Sequence, residues 1–144
     1  MEVEIREHSD DSVKVIIACK EITKRIQKLQ SYIEAFEERI RAKSEEEVIF
    51  VEVADALYFE SVDSRTFLYT NEQVVEVTQR LYELEEILPK EDFIRCSKSI
   101  IVNINKIKNL KPQLNRTIMV MMCNDEKLFI SRRYVKAFKN LLGI

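Results

Sequence analysis

With 144 residues, 46% of them hydrophobic and 33% charged, the chain can build a packed core, as one domain of ordinary size or a small domain carrying an appendage, and is too short for two full-sized enzymatic domains. A single Gly and two Pro leave no material for a glycine-rich phosphate loop or a strained nucleophile turn, which excludes nucleotide-binding enzymes of those kinds. The net charge of −2 hides a division: residues 90–144 hold 12 Lys and Arg against 4 Asp and Glu, whereas residues 1–89 hold 11 against 21. The basic last third suits a polyanionic partner; the bland reading is neutralisation of the acidic part across an internal or dimer contact.

In chain order, Val3–Glu7 and Val13–Cys19 have the composition of two short strands around a polar turn at Ser9–Ser12. A helix is predicted next, because Ile22, Ile26, Leu29, Ile33, Phe36 and Ile40 recur every three or four residues, with Lys24, Lys28, Glu34, Glu38 and Arg41 on other faces. The stripe follows a heptad but is short for a coiled coil, so packing on the protein's own sheet is preferred to a dimer seam. The charged break Ser44–Glu47 marks a boundary near 45. Val48–Val53, Leu57–Val62 and Arg65–Tyr69 read as strands, and Val77, Leu81, Leu84 and Leu88 as a short helix closed by Pro89. Phe93–Arg95, Ile107–Leu110, Ile118–Met122 and Lys127–Ile130 read as further strands, the last two joined at Cys123–Glu126, and Ser131 as the N-cap of a final helix. Strands that follow one another without intervening helices pair antiparallel, so the expected class is mainly β, or α+β.

Nothing in this inventory makes a catalytic site. His8 stands alone beside Asp10 and Asp11, with no metal set and no signature pairing it to Cys96. The acidic runs Glu45–Glu47 and Glu83–Glu86 read as solvated faces. No cofactor motif is present, and the chain is not expected to be an enzyme. Cys96 lies between Arg95 and Lys98, which would raise a thiol's reactivity, but a buried small side chain is the preferred reading. Cys19, Cys96 and Cys123 form neither a disulfide framework nor a zinc knuckle, so reduced thiols and a cytoplasmic location are expected. The acidic start lacks a signal-peptide pattern, and no apolar run approaches the roughly 18 residues needed to span a bilayer, so no direct membrane insertion is expected.

The stretch Phe93-Ile-Arg-Cys-Ser-Lys-Ser-Ile-Ile-Val-Asn103, with Asn105-Lys-Ile107 after it and Ile130-Ser-Arg-Arg-Tyr134 near the end, resembles the LytTR family of DNA-binding domains. Ile49–Glu60, Phe67-Leu-Tyr-Thr70 and the Leu81…Leu84-Glu85…Leu88 helix are similar to the family's opening strands and its L-x-x-L-E-x-x-L segment. Three separated segments in the family's order make the resemblance specific; it covers roughly residues 48–142.

The resemblance implies an elongated antiparallel β domain, over 46–144, that reads double-stranded DNA from loops, commonly as two protomers on repeated short sites: a bacterial-type transcription regulator, expected to be a homodimer. Carried over by position, the contact segments fall on Arg65 in the Asp63-Ser64-Arg65 loop, on Arg95, Ser97, Lys98 and Ser99, and on Ser131, Arg132 and Arg133. Arg133 could give two hydrogen bonds to guanine O6 and N7, Lys98 a point donor, and Ser99 and Ser131 suit phosphate oxygens. The chain departs from the pattern at Ser97, where many members have His, and at Thr70–Gln73, where the family's hairpin usually carries Gly. Asn103 either ties down a tight turn or touches a base, the former being preferred.

Residues 1–45 are too short for a phosphoacceptor receiver domain. A small β-β-α extension there is expected to pack on the DNA-binding part or to mediate dimerisation through Ile22, Leu29 and Phe36. The competing readings are a protein-interaction module without DNA specificity and a single-stranded nucleic-acid binder using Phe67, Tyr69 and Phe129.

Overall fold

The structure, a computed structural model, describes residues 1–11, 13–36 and 39–144, with only the backbone of Ala35 and Phe36. The expected turn residue Ser12, the helix residue Glu38 and the side chain of Phe36 in the apolar stripe lie outside the described residues.

The chain runs α1 (Lys24–Phe36), β1 (Arg39–Lys43), β2 (Val48–Glu52), β3 (Tyr58–Val62), β4 (Arg65–Tyr69), β5 (Val74–Val77), α2 (Leu81–Ile87), β6 (Phe93–Arg95), β7 (Ile100–Asn103), β8 (Ile107–Pro112), β9 (Ile118–Met122), β10 (Lys127–Ile130) and α3 (Arg132–Leu142). Short 3-10 turns stand at Val53–Asp55 and Ile104–Lys106. All paired strands are antiparallel, in a seven-stranded sheet of order β2-β1-β5-β4-β3-β7-β6 and a three-stranded sheet of order β10-β9-β8. The expected β-rich α+β class is what forms.

Two apolar clusters hold these layers. On one face of the large sheet, Ile40, Ala42, Val51, Phe59, Leu68, Val75, Val77 and Ile101 alternate inward and meet Leu81, Leu84 and Leu88 of α2. On the other face, Tyr58 and Val102 pack against Ile118, Val120, Met122, Leu128 and Ile130 of the small sheet and Phe138 of α3. A polar clamp crosses this second junction. Tyr58 stacks on Tyr69 with ring centroids 4.2 Å apart, Tyr69 Oη donates to Glu60 Oε1 at 2.9 Å, and Tyr58 Oη donates to Glu126 in the β9–β10 turn. Burial and the carboxylate partners push the Tyr69 phenol up to about 12 and the Tyr58 phenol higher still.

Several expectations need correction. Val3–Glu7 and Val13–Cys19 form no strands, so the extension is not β-β-α: among the described residues of 1–23 every side chain but Ile17 is exposed, and no neighbouring strand supplies hydrogen-bond partners. The helix over Ile22–Ile40 covers only Lys24–Phe36, begun by Thr23 Oγ1 accepting from Ile26 N–H at 3.3 Å, and Ile40 is a buried residue of β1. β1 precedes position 45 yet pairs with both β2 and β5, so the sheet crosses the expected boundary. Val77 belongs to β5 rather than to the helix, and Ile100–Asn103 is an additional central strand.

The stripe on α1 faces the protein's own body: Ile26, Leu29 and Ile33 are half-buried, and the helix packs over the turn at Val53–Asp55, while Ile22 is exposed. A buried chain of hydrogen bonds fixes it, Ser31 Oγ donating to Asp92 Oδ2 at 2.9 Å and Asn105 Nδ2 to Asp92 Oδ1 at 2.8 Å. Asn103 is the turn tie that its position suggested. Its Nδ2 donates to the Ala56 carbonyl at 2.8 Å and its Oδ1 accepts from Asn105 N–H at 3.0 Å. The glycine-free turn closes because Thr70 Oγ1 accepts from both Glu72 and Gln73 N–H.

Candidate nucleic-acid interface

The three segments singled out in the sequence belong to separate elements, and main-chain hydrogen bonds draw them together. Asp63 and Ser64, with φ of 50° and 65°, make the tight β3–β4 turn that delivers Arg65, a conformation that short Asp and Ser side chains tolerate. Next to it, Ser61 N–H donates to the Ser99 carbonyl at 2.8 Å, tying the β6–β7 turn to the end of β3. Ser131 N–H in turn donates to the Cys96 carbonyl at 2.8 Å, so the start of α3 is tied to the same turn.

Within the 95–99 turn the side chains divide into struts and free ends. Arg95 is a strut: its Nε donates to Glu85 Oε1 at 2.6 Å and its Nη1 to the Lys98 carbonyl at 2.6 Å, and its side chain is only 19% exposed. Ser97 Oγ accepts from Ser99 N–H at 3.2 Å and lies 3.4 Å from Ser99 Oγ. Lys98 is exposed at the tip, beside a cleft of about 400 Å³ lined by Ser61, Arg80, Leu81, Tyr82, Arg95 and Lys98. Cys96 is fully buried, and burial pushes its thiol up to about 12 against the lowering effect of Arg95, so it is a packing residue and not an activated thiol.

Arg132 and Arg133 are exposed in the first turn of α3, where no acidic residue offsets the positive end of the helix. Two cations at that end are locally unfavourable, an arrangement that an incoming anion relieves. Ser131 holds the N-cap position, but its side chain makes no capping hydrogen bond. Arg65 is exposed but engaged, with Nε and Nη2 donating to the two carboxylate oxygens of Glu76 at 3.2 and 2.8 Å and its guanidinium 5.3 Å from the centre of the Phe67 ring. The Arg65 hydrogen bonds, aided by Lys43, hold the Glu76 carboxyl below its ordinary value.

Arg80 escaped the sequence reading. It precedes α2, its Nη1 donates to the Ser64 carbonyl at 3.0 Å, and it adds a cation between the β3–β4 turn and the 95–99 turn. Its only signal in the sequence is a long basic residue where a small N-cap would be ordinary. The aromatics weighed for single-strand stacking are differently placed: Tyr69 is committed to Tyr58, Phe67 is half-buried under Arg65, and Phe129 is exposed on the small sheet. Among the described residues no group of His, Cys, Asp and Glu could hold a metal ion, and no helix is long and apolar enough to cross a membrane.

Comparison with known proteins bears on the family and the fold. The family model of the LytTr DNA-binding domain matches residues 46–143. The chain is 35% identical over 100 residues to the sensory transduction protein LytT of Enterococcus faecalis, covering 69% of this chain and 41% of that protein. It is 29% identical over 125 residues to LytT of Bacillus subtilis, covering 87% and 52%, and 30% identical over 106 residues to the transcriptional regulatory protein YpdB of Escherichia coli K12, covering 73% and 43%. The chain thus spans about half the length, or less, of these relatives. Among solved structures, one described as the LytTr DNA-binding domain of a methyl-accepting/DNA response regulator from Bacillus cereus superposes with a TM-score of 0.71 at 34% identity, covering 74% of this chain and 97% of that one. A matched segment of this extent, carried on the same antiparallel fold, establishes that the chain belongs to the LytTr DNA-binding domain family.

Proposed function

We propose that the protein is a transcription regulator that binds double-stranded DNA sequence-specifically, reading its grooves with side chains carried on turns. The observation that carries the reading is the pair of main-chain hydrogen bonds, Ser61 to Ser99 and Ser131 to Cys96, which gathers the 63–65, 95–99 and 131–133 segments at one end of the large sheet. In this reading Lys98 and Arg133 reach base edges and Arg132, Ser97, Ser99 and Ser131 meet phosphates. Arg65 meets the backbone while paired to Glu76, and Arg95 positions the turn without touching DNA. Two protomers on repeated sites, a homodimer, complete the proposal.

The test is footprinting of the full chain over its own upstream region, followed by titration of the protected duplex at rising salt. A specific complex that weakens steeply with salt is expected, and Lys98→Ala or Arg133→Ala should each cost about 1 to 3 kcal/mol of binding. Unchanged affinity in both variants overturns the assignment of base contacts. A stable complex with another protein and no preference among duplexes favours the protein-interaction reading instead.

A further inference from the structure

The face of the large sheet that carries Tyr58 and Tyr69 is covered over β3 and β7 by the small sheet and α3. Over β1 it is open. There the strand alternates strictly, Ile40 and Ala42 buried on the α2 side and Arg39, Arg41 and Lys43 exposed on the open side. We propose that Arg39, Arg41 and Lys43 form a second contact for the sugar-phosphate backbone of the duplex, extending the interface beyond the turns. This inference rests on the duplex-binding reading above and adds residues that precede the matched family segment.

The sheet register supplies the placement. Ala42, Val77 and Thr66 stand in one buried row across β1, β5 and β4. The next row away from the β3–β4 turn, Lys43, Glu76 and Phe67, is on the open side, and Arg41 and Arg65 stand two residues before Lys43 and Phe67 on strands that run the same way, on that same side and toward that turn. Arg41 is therefore two strand spacings from Arg65, about 10 Å. Arg39 lies further toward that same end. α3, which bears Arg132 and Arg133, packs on this same side of the sheet. The cations of β1, the β4 arginine and the start of α3 thus share one side.

Two carboxylates face them. Glu52 stands opposite Arg39 and Glu76 opposite Lys43, but Glu76 is already taken by Arg65. Solvation of an open sheet face would be the bland reason for three cations in a row, yet the positions opposite Lys43 and Arg41 on β2 are exposed Val48 and Phe50, which gain nothing from water, and the Arg39 guanidinium lies 5.5 Å from the centre of the Phe50 ring. Cations interleaved with small apolar and aromatic groups suit a partner that offers phosphates beside sugars. The three residues span roughly 13 Å of strand, and a duplex carries about one charge per 1.7 Å of axis, so every cation can find a phosphate along that length.

The experiment measures binding of the full chain to a fluorescent duplex of random sequence across a salt series, for the wild type, the triple variant R39Q/R41Q/K43Q and the charge-conserving R39K/R41K. The triple variant should bind about a hundredfold more weakly at low salt, with the slope of log affinity against log salt shallower by about 2 to 3, while R39K/R41K keeps the wild-type slope. Should the triple variant melt early, R41Q alone is expected to lower the slope by about 1. Wild-type slope in a folded triple variant, or in R41Q, overturns the inference and leaves the duplex reading standing. No binding by the wild type at low salt overturns both. Loss of a protein complex with an unchanged salt slope assigns the strand to a protein partner and overturns the inference.

Discussion

Residues 1–23 and 39–52 are both rich in β-branched side chains at alternating positions, yet they end in different states. In the second stretch Ile40, Ala42 and Val51 are buried and β1 has a strand on each side. In the first, Val3, Ile5 and Val13 are 80%, 92% and 83% exposed and pair with nothing among the described residues. The difference teaches that alternation is permission and not a cause. A strand persists when its backbone donors meet a neighbour and one of its faces meets a core. β1 has both because α2 supplies an apolar surface beneath Ile40 and Ala42.

The contrast can be broken or sharpened by measurement. The largest effect is expected from thiol labelling under native conditions. Cys19 in the exposed stretch and Cys123 in a surface turn should react as free thiols, whereas Cys96, fully buried with its thiol pushed up to about 12, should react on the order of a thousandfold more slowly until the protein unfolds. Fast labelling of Cys96 would remove the buried role assigned to it. In urea denaturation, Ile40→Ala should lose about 2 to 5 kcal/mol by leaving a cavity. The matched change Ile5→Ala should stay within about 0.5 kcal/mol. Comparable losses would mean that the first stretch is packed after all.

A smaller loss, about 1 to 3 kcal/mol, is expected from Asn103→Ala, which leaves the Ala56 carbonyl and the Asn105 N–H without their side-chain partner. The smallest effect belongs to the surface pair Arg65–Glu76. Because its folded-state pKa is lowered, the pair's contribution is complete above the ordinary carboxylate range and is lost as the pH falls through the depressed value. An NMR titration of the Glu76 carboxyl should give a midpoint below 4.5, and Arg65→Gln should return it toward that value.

The strands Arg65–Tyr69, Phe93–Arg95, Ile118–Met122 and Lys127–Ile130 were legible because turn residues punctuate apolar alternation. The errors share a physical origin, since residues four apart share a face on a helix and on a strand alike. Val77 is four residues before Leu81, and Ile40 four after Phe36, so both extended a helical pattern although each lies in a strand. Ile100–Ile101–Val102 was overlooked as a strand because it is apolar throughout, being packed on both faces of a central position. At the candidate site the positions 65, 95–99 and 131–133 were legible by motif, but the division into struts and free ends was not, because Arg95 differs from Lys98 only in what Glu85 and a carbonyl do to it. The cations of β1 were hidden by an acidic first part whose net charge says nothing about which side of a strand each residue occupies.

The two ties that suspend the 96–99 turn use only peptide atoms. The Lys98 side chain takes no part in those ties, so the letter there can be exchanged without disturbing the scaffold, whereas Ser97 Oγ also accepts from Ser99 N–H inside the turn. The tip can therefore change its chemistry at 98 while the peptide ties beneath it stay as they are.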